Sequence, residues 1–260
     1  MDKKIISLNF SPPTKSLDQG IITGCDYKQE WMLKWWLYHA KKNSRLPLSV
    51  IDFGMSKSAK IFLQSRVHII DGSKALNPFL KPSSYIFPSN WPENWKQDAT
   101  SQRPFYFAKI LATQLSPYTQ SLWVDVDCKI IENPIGAFAY IDEAQGLSMA
   151  LDDPQTALRW KKENLIRPVS IAYQAGVIAF NKNSPLMEKW RSLCINLYNK
   201  EYSEQTALSN HLLENNLCIN TMPSFFNHLR PQENIRASIA HYGGQWHKLC
   251  LLREITNFQC

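Results

Sequence analysis

Over its first seventy residues the chain alternates between short strand-like runs and helical runs, an order that few architectures satisfy. Gly20-Ile21-Ile22-Thr23-Gly24 reads as a strand. From Gln29 to Lys42, Trp31, Trp35 and Tyr38 recur at helical spacing with Met32, Trp36 and His39 beside them, a wide apolar stripe of the kind that faces a core. A second strand from Leu46 to Asp52, a short helix from Ser58 to Gln64 and a third strand from Val67 to Ile70 follow. This order predicts an α/β fold, a mostly parallel mixed sheet flanked by helices.

The rest of the chain continues the pattern. Pro104 opens a helix to about Leu115, a position where proline is tolerated. Strands are expected at Gly146 to Leu151, at Ile171 to Asn181 and at Leu217 to Met222, with helices at Pro185 to Tyr198 and Glu204 to Glu214. Gly176, inside a strand, marks a bulge or a close approach by a ligand. With 260 residues, 44% of them hydrophobic, the chain can bury the core of one domain spanning 1–260. The stretch 78–100 carries several prolines with Tyr85, Phe87, Trp91 and Trp95, and reads as a long ordered surface loop that lines a site, on the acceptor side if sugars stack there.

Some function classes drop out. No run of 18 apolar residues is present, so no membrane span is expected, and the first residues lack a signal-peptide core. Six cysteines without C-x-x-C spacing are expected to be reduced thiols in a cytoplasmic protein. The net charge of +7 is spread along the chain without a basic block, which argues against a nucleic-acid partner. It suits anionic substrates or peripheral association with an anionic membrane face.

The chemistry concentrates in Ser121-Leu122-Trp123-Val124-Asp125-Val126-Asp127, where an apolar run ends in two carboxylates. On an extended chain Asp125 and Asp127 share one side, and two like charges so placed ask for a cation between them. A hard divalent ion, Mn²⁺ or Mg²⁺, fits carboxylate oxygens, and a phosphate-bearing ligand supplies further ones. The plainer alternative is a turn with a salt bridge to Lys129. Asp26, Asp52, Asp127 and Asp152 all fall at or just past strand ends, where open α/β sheets bind ligands. Near the end of the chain, His241 is a candidate third metal ligand. Gly243 and Gly244 allow the backbone close to an anion, and Lys248 offers a point charge for phosphate. Read blandly, His241 to Gly244 is an ordinary tight turn.

These segments together resemble glycosyltransferase family 8, whose members have the nucleotide-diphospho-sugar transferase (GT-A) fold. The resemblance runs from about Gly20 to Lys248 on Phe105-Tyr106-Phe107-Ala108-Lys109, Leu122 to Asp127, Gln174 to Asn181, Ser203 to Asn210 and His241 to Lys248. It implies a metal-dependent transfer of a hexose from a UDP-sugar to a saccharide, lipid-linked saccharide or protein acceptor, with retention. It implies metal ligation by Asp125, Asp127 and His241, and a diphosphate approached by Gly244. Lys248 stands one residue beyond the family's usual lysine, a place His247 takes here. Lys109 corresponds to a basic residue that reaches the donor. Thr23, Cys25 and Asp26 lie where the uridine sits. Asp152 is placed at the donor sugar, and Glu204 and Gln205 near the reacting carbon, with Glu204 one methylene longer than the family's aspartate. Alternatives are a haloacid-dehalogenase-like phosphatase, whose D-x-D normally follows the first strand, a non-catalytic sugar-nucleotide-binding domain, and hydrolysis without an acceptor.

Overall fold

A computed structural model describes residues 17–80, 102–229 and 236–258. Most of the expected aromatic loop therefore lies outside the described residues. The strands are β1 (Leu17–Cys25), β2 (Leu48–Asp52), β3 (His68–Asp71), β4 (Tyr118–Val124), β5 (Cys128–Ile130), β6 (Leu147–Leu151), β7 (Tyr173–Asn181), β8 (Asn220–Met222) and β9 (Ile239–His241). Seven of them form one sheet in the order β3-β2-β1-β4-β7-β6-β8, and β5 pairs with β9 in a separate two-stranded ribbon. Neighbours in the sheet are parallel except around β7, which runs antiparallel to both β4 and β6.

This single reversal builds the site edge. The carboxyl ends of β1, β2, β4 and β6 all emerge along one edge, and the start of β7, Tyr173 to Gly176, lies on that edge because β7 runs the other way. Just past the end of β4, Asp125 donates its N–H to the Gly176 carbonyl at 2.8 Å, which ties the following turn to β7.

The strands alternate their apolar side chains between two cores, as a sheet covered on both faces requires. Ile21, Val50, Leu122, Val124 and Val177 face one core with Trp35, Trp36 and Leu37 of α1 (Leu33–Asn43) and Leu63 of α2 (Lys57–Gln64). Ile22, Ile51, Trp123, Ile178 and Phe180 face the other. That second core takes α3 (Ser73–Leu80), α4 (Arg103–Ala112), α6 (Pro185–Asn196) and α7 (Glu204–Glu214). A third cluster, with Trp160, Leu165, Ile166 and Ala172, packs α5 (Pro154–Lys162) against the segment that follows it.

Besides α5 and the ribbon of β5 and β9, which the sequence reading did not anticipate, two further elements differ from it. Pro78 does not begin a loop: it lies inside α3, where Ala75, Leu76 and Phe79 are buried and hold the turn in place. After Gly243-Gly244 the chain forms an unforeseen helix, α8 (Gln245–Thr256). Gly244 is its N-cap with φ +79°, a conformation that favours glycine. The five described cysteines, at 25, 128, 194, 218 and 250, are free, and among the described residues no helix is long and apolar enough to cross a membrane.

Candidate active site

The two aspartates do not continue the strand. β4 ends at Val124, and Asp125 to Asp127 make a tight turn closed by the Cys128 N–H on the Asp125 carbonyl at 2.9 Å. Face alternation therefore does not apply, and the carboxylates take different partners. Asp125 accepts from Trp123 Nε1 at 2.6 Å and from Lys109 Nζ at 3.3 Å. Asp127 is directed at His241, with Nε2 3.6 Å from its Oδ1, and at the Lys248 ammonium, which sits on its Oδ2. Lys129, the partner in the plainer reading, is instead bound to Glu254 at 2.5 Å.

Among the described residues, the side chains whose ligand atoms lie within 4.8 Å of one another are Asp127, Cys128 and His241. Burial, with the two aspartates beside it, pushes the Cys128 thiol well above its usual range, and a protonated thiol is a poor ligand. Asp127 and His241 suit a cation better. Burial opposes ionisation of Asp127, but the Lys248 ammonium and His241 outweigh it and hold the carboxyl below the usual range. Burial also lowers the pKa of His241 and so favours the neutral ring.

The tautomer follows from a residue that the sequence reading missed. Asn227 Nδ2 reaches the Gln174 carbonyl at 3.4 Å, which turns its Oδ1 toward His241 Nδ1 at 3.1 Å. Because that oxygen can only accept, Nδ1 carries the proton and the Nε2 lone pair faces Asp127. This is how metal-ligating histidines are oriented. Gly176 completes the cradle. A Cβ there would fall 2.1 Å from His241 Cε1 and 2.4 Å from Nδ1, and the pairing of β6 with β7 shifts register here, the bulge expected at this glycine. The pair thus fits a hard divalent ion that takes further oxygens from a bound phosphate.

Lys109 is almost fully buried. It donates to the Ala175 carbonyl at 3.0 Å and pairs with Asp125 at 3.3 Å and Glu204 at 3.2 Å. Burial disfavours its charge, yet the two carboxylates hold its pKa above the usual lysine range. Glu204 is itself raised by burial, against the pull of Lys109. Gln205 ties the strand ends together. Its Nε2 donates to the Tyr173 carbonyl at 2.9 Å and to Asp152 Oδ2 at 3.2 Å, and its Oε1 accepts from Ala175 N–H at 3.2 Å. Asp152, just past β6, is pushed up to about 6 by burial.

At the end of β1, Thr23 and Cys25 are fully buried, Cys25 in the core of α1. Asp26 accepts from the N–H groups of Lys28 and Gln29 and so shapes the turn leaving β1. Gly243 backs onto His241, with a hypothetical Cβ 3.1 Å from Nε2, and its carbonyl is hydrogen-bonded to His247 Nδ1 at 2.8 Å. His247 therefore faces its own turn, and Lys248 is the residue aimed at the carboxylate.

Comparison with solved structures sets this edge in context. The chain is similar to the galactosyltransferase LgtC solved with donor and acceptor sugar analogues, with TM-score 0.60, 15% identity, and coverage of 92% of this chain and 94% of that one. It has the GT-A fold. Mouse xyloside xylosyltransferase 1 matches with TM-score 0.55 and 14% identity over 86% of this chain and 97% of its own. The glycosyltransferase GlyE of Streptococcus pneumoniae TIGR4 matches with TM-score 0.54 and 16% identity over 88% of this chain and 55% of its own. No family model and no curated protein sequence matches the chain. Its likeness to these glycosyltransferases thus lies in the path of the backbone.

Proposed function

We propose that the chain is a metal-dependent glycosyltransferase that moves a hexose from a UDP-sugar to a saccharide, lipid-linked saccharide or protein acceptor, with retention as the family resemblance implies. The observation that carries this reading is the Asp127–His241 pair, with its Nε2 lone pair turned to the carboxylate, at the ligand-binding edge of a GT-A sheet. The rival phosphatase reading expects the D-x-D after the first strand, whereas here it follows the fourth.

Asp127 and His241 would hold the ion, with Asp125 beside them bound to Lys109. Bound Mn²⁺ or Mg²⁺ supplies Lewis-acid stabilisation of the diphosphate leaving group. Lys248 stands where an ammonium can take the negative charge that develops as the sugar–phosphate bond breaks. The site edge offers the sugar carbon two oxygen-bearing groups, Asp152 and Gln205, held together by their hydrogen bond. Glu204 lies deeper, paired with Lys109, and fixes the turn from which Gln205 projects. The acceptor hydroxyl then attacks the face that the diphosphate leaves, and its proton passes to the departing diphosphate oxygen.

The test is calorimetric titration of UDP-glucose, UDP-galactose and UDP-xylose with and without Mn²⁺, on the wild-type chain and on an Asp125→Ala, Asp127→Ala double variant. Metal-dependent binding that disappears in the double variant supports the proposal. Absence of binding under every metal condition removes it and directs attention to phosphate-ester hydrolysis.

A further inference from the structure

Both carboxylates of the D-x-D are paired with lysines of the same chain, but the two lysines are held very differently. Lys109 has three partners, is almost fully buried, and comes from the last turn of α4. It has nowhere else to go. Lys248 sits in the first turn of α8, its side chain is 35% exposed, and Asp127 is its one ion-pair partner among the described residues. Its backbone is nonetheless well anchored. Six residues on, Glu254 accepts from Trp35 Nε1 at 3.0 Å, Lys129 Nζ at 2.5 Å and Tyr242 Oη at 2.6 Å. Tyr242 in turn donates its N–H to the Asp127 carbonyl at 3.1 Å. The helix and the metal-site turn are thus tied to each other, while the Lys248 side chain reaches the carboxylate from a partly exposed position.

We infer that Lys248 is an internal counter-cation that competes with the divalent ion for Asp127 and is drawn off by the nucleotide diphosphate. This rests on the function proposed above. An ion approaching Asp127 in the nucleotide-free protein must displace an ammonium already on that carboxylate, and two cations sharing it repel. A diphosphate gives the ammonium a better anion within reach of the same flexible side chain, and Asp127 is released to the ion. Ion and nucleotide then strengthen each other's binding by the same factor, as linkage requires.

The experiment measures Mn²⁺ binding by the loss of the free-ion electron paramagnetic resonance signal, with and without UDP. It uses wild type, Lys248→Met, Lys248→Arg and Asp127→Asn, each checked for folding by circular dichroism. The expected result for Lys248→Met is Mn²⁺ bound roughly tenfold more tightly without UDP, with the UDP-dependent gain reduced by a similar factor. Lys248→Arg keeps the cation and should behave as wild type. Unchanged nucleotide-free Mn²⁺ affinity in Lys248→Met, with Asp127-dependent binding intact in wild type, overturns the counter-cation role alone. No Mn²⁺ binding with UDP in wild type overturns it together with the transferase reading.

Discussion

Asp152 is a carboxylate that the fold holds at a cost. Its pKa rises from 3.8 to about 6 because burial disfavours the charged form. Between those values the folded chain keeps a proton that the unfolded chain has released. The group's contribution to stability is therefore full below about pH 4 and is lost as pH rises through 6. At pH 8 the loss is on the order of 3 kcal/mol, from the size of the shift. Asp152→Asn removes it while giving up one hydrogen bond, so thermal melts at pH 8 should show a gain of about 1 kcal/mol. A variant whose melting temperature follows pH as wild type does would refute this. At His241 the expectations run the other way. Gly176→Ala places a methyl group into the ring and should cost about 1–3 kcal/mol by overpacking, with Mn²⁺ binding lost alongside. Asn227→Leu removes the acceptor on Nδ1, and Mn²⁺ affinity measured by titration should fall about 10–100-fold. Asp127, His241 and Lys248 were legible in the sequence because motif order marks them. Asn227 was not, since a loop asparagine has no local pattern until the fold shows what it touches. The shared face expected of Asp125 and Asp127 failed because the chain turns straight after Val124, and strand parity ends where the strand does.

Most elements were legible because their burial is periodic. The strands β1, β2, β4, β6 and β7 feed two cores through alternate residues, and that alternation is visible as near-continuous apolar runs. Three helices escaped notice, α5 just after Asp152 among them, and the other two carry weak or masked signals. In α3 a proline stands near the end, and three buried side chains outweigh the backbone hydrogen bond it cannot make. In α8 the preceding glycine pair reads as a turn, and the helix is held as much by Glu254 as by its fully buried Leu251. Glu254→Leu should consequently loosen α8 and β9 ahead of the seven-stranded sheet. The expected cost is about 2 kcal/mol for hydrogen bonds to a charged group. Hydrogen exchange at the amides of 239–256 should speed up, with β1 and β4 unaffected. Equal acceleration throughout would show that the latch is not local.

For the molecule as a whole, the excess of seven positive charges is a long-range property, independent of any contact. Association of a UDP-sugar should slow by roughly threefold as ionic strength rises from about 0.02 M to 0.2 M, because screening shortens the reach of that field. Stopped-flow rates that do not change with salt would mean that only contacts at the site matter. The ribbon of β5 and β9 carries a different consequence. Cys128 pairs with His241, so the two halves of the ion site are brought together by strands more than a hundred residues apart in the chain. During synthesis Asp127 leaves the ribosome long before His241, and the large sheet has all its strands in hand before β9 is made. A nascent chain can therefore build its sheet and still be unable to hold an ion. Competence arrives in one late step, when the last strand closes on the fifth.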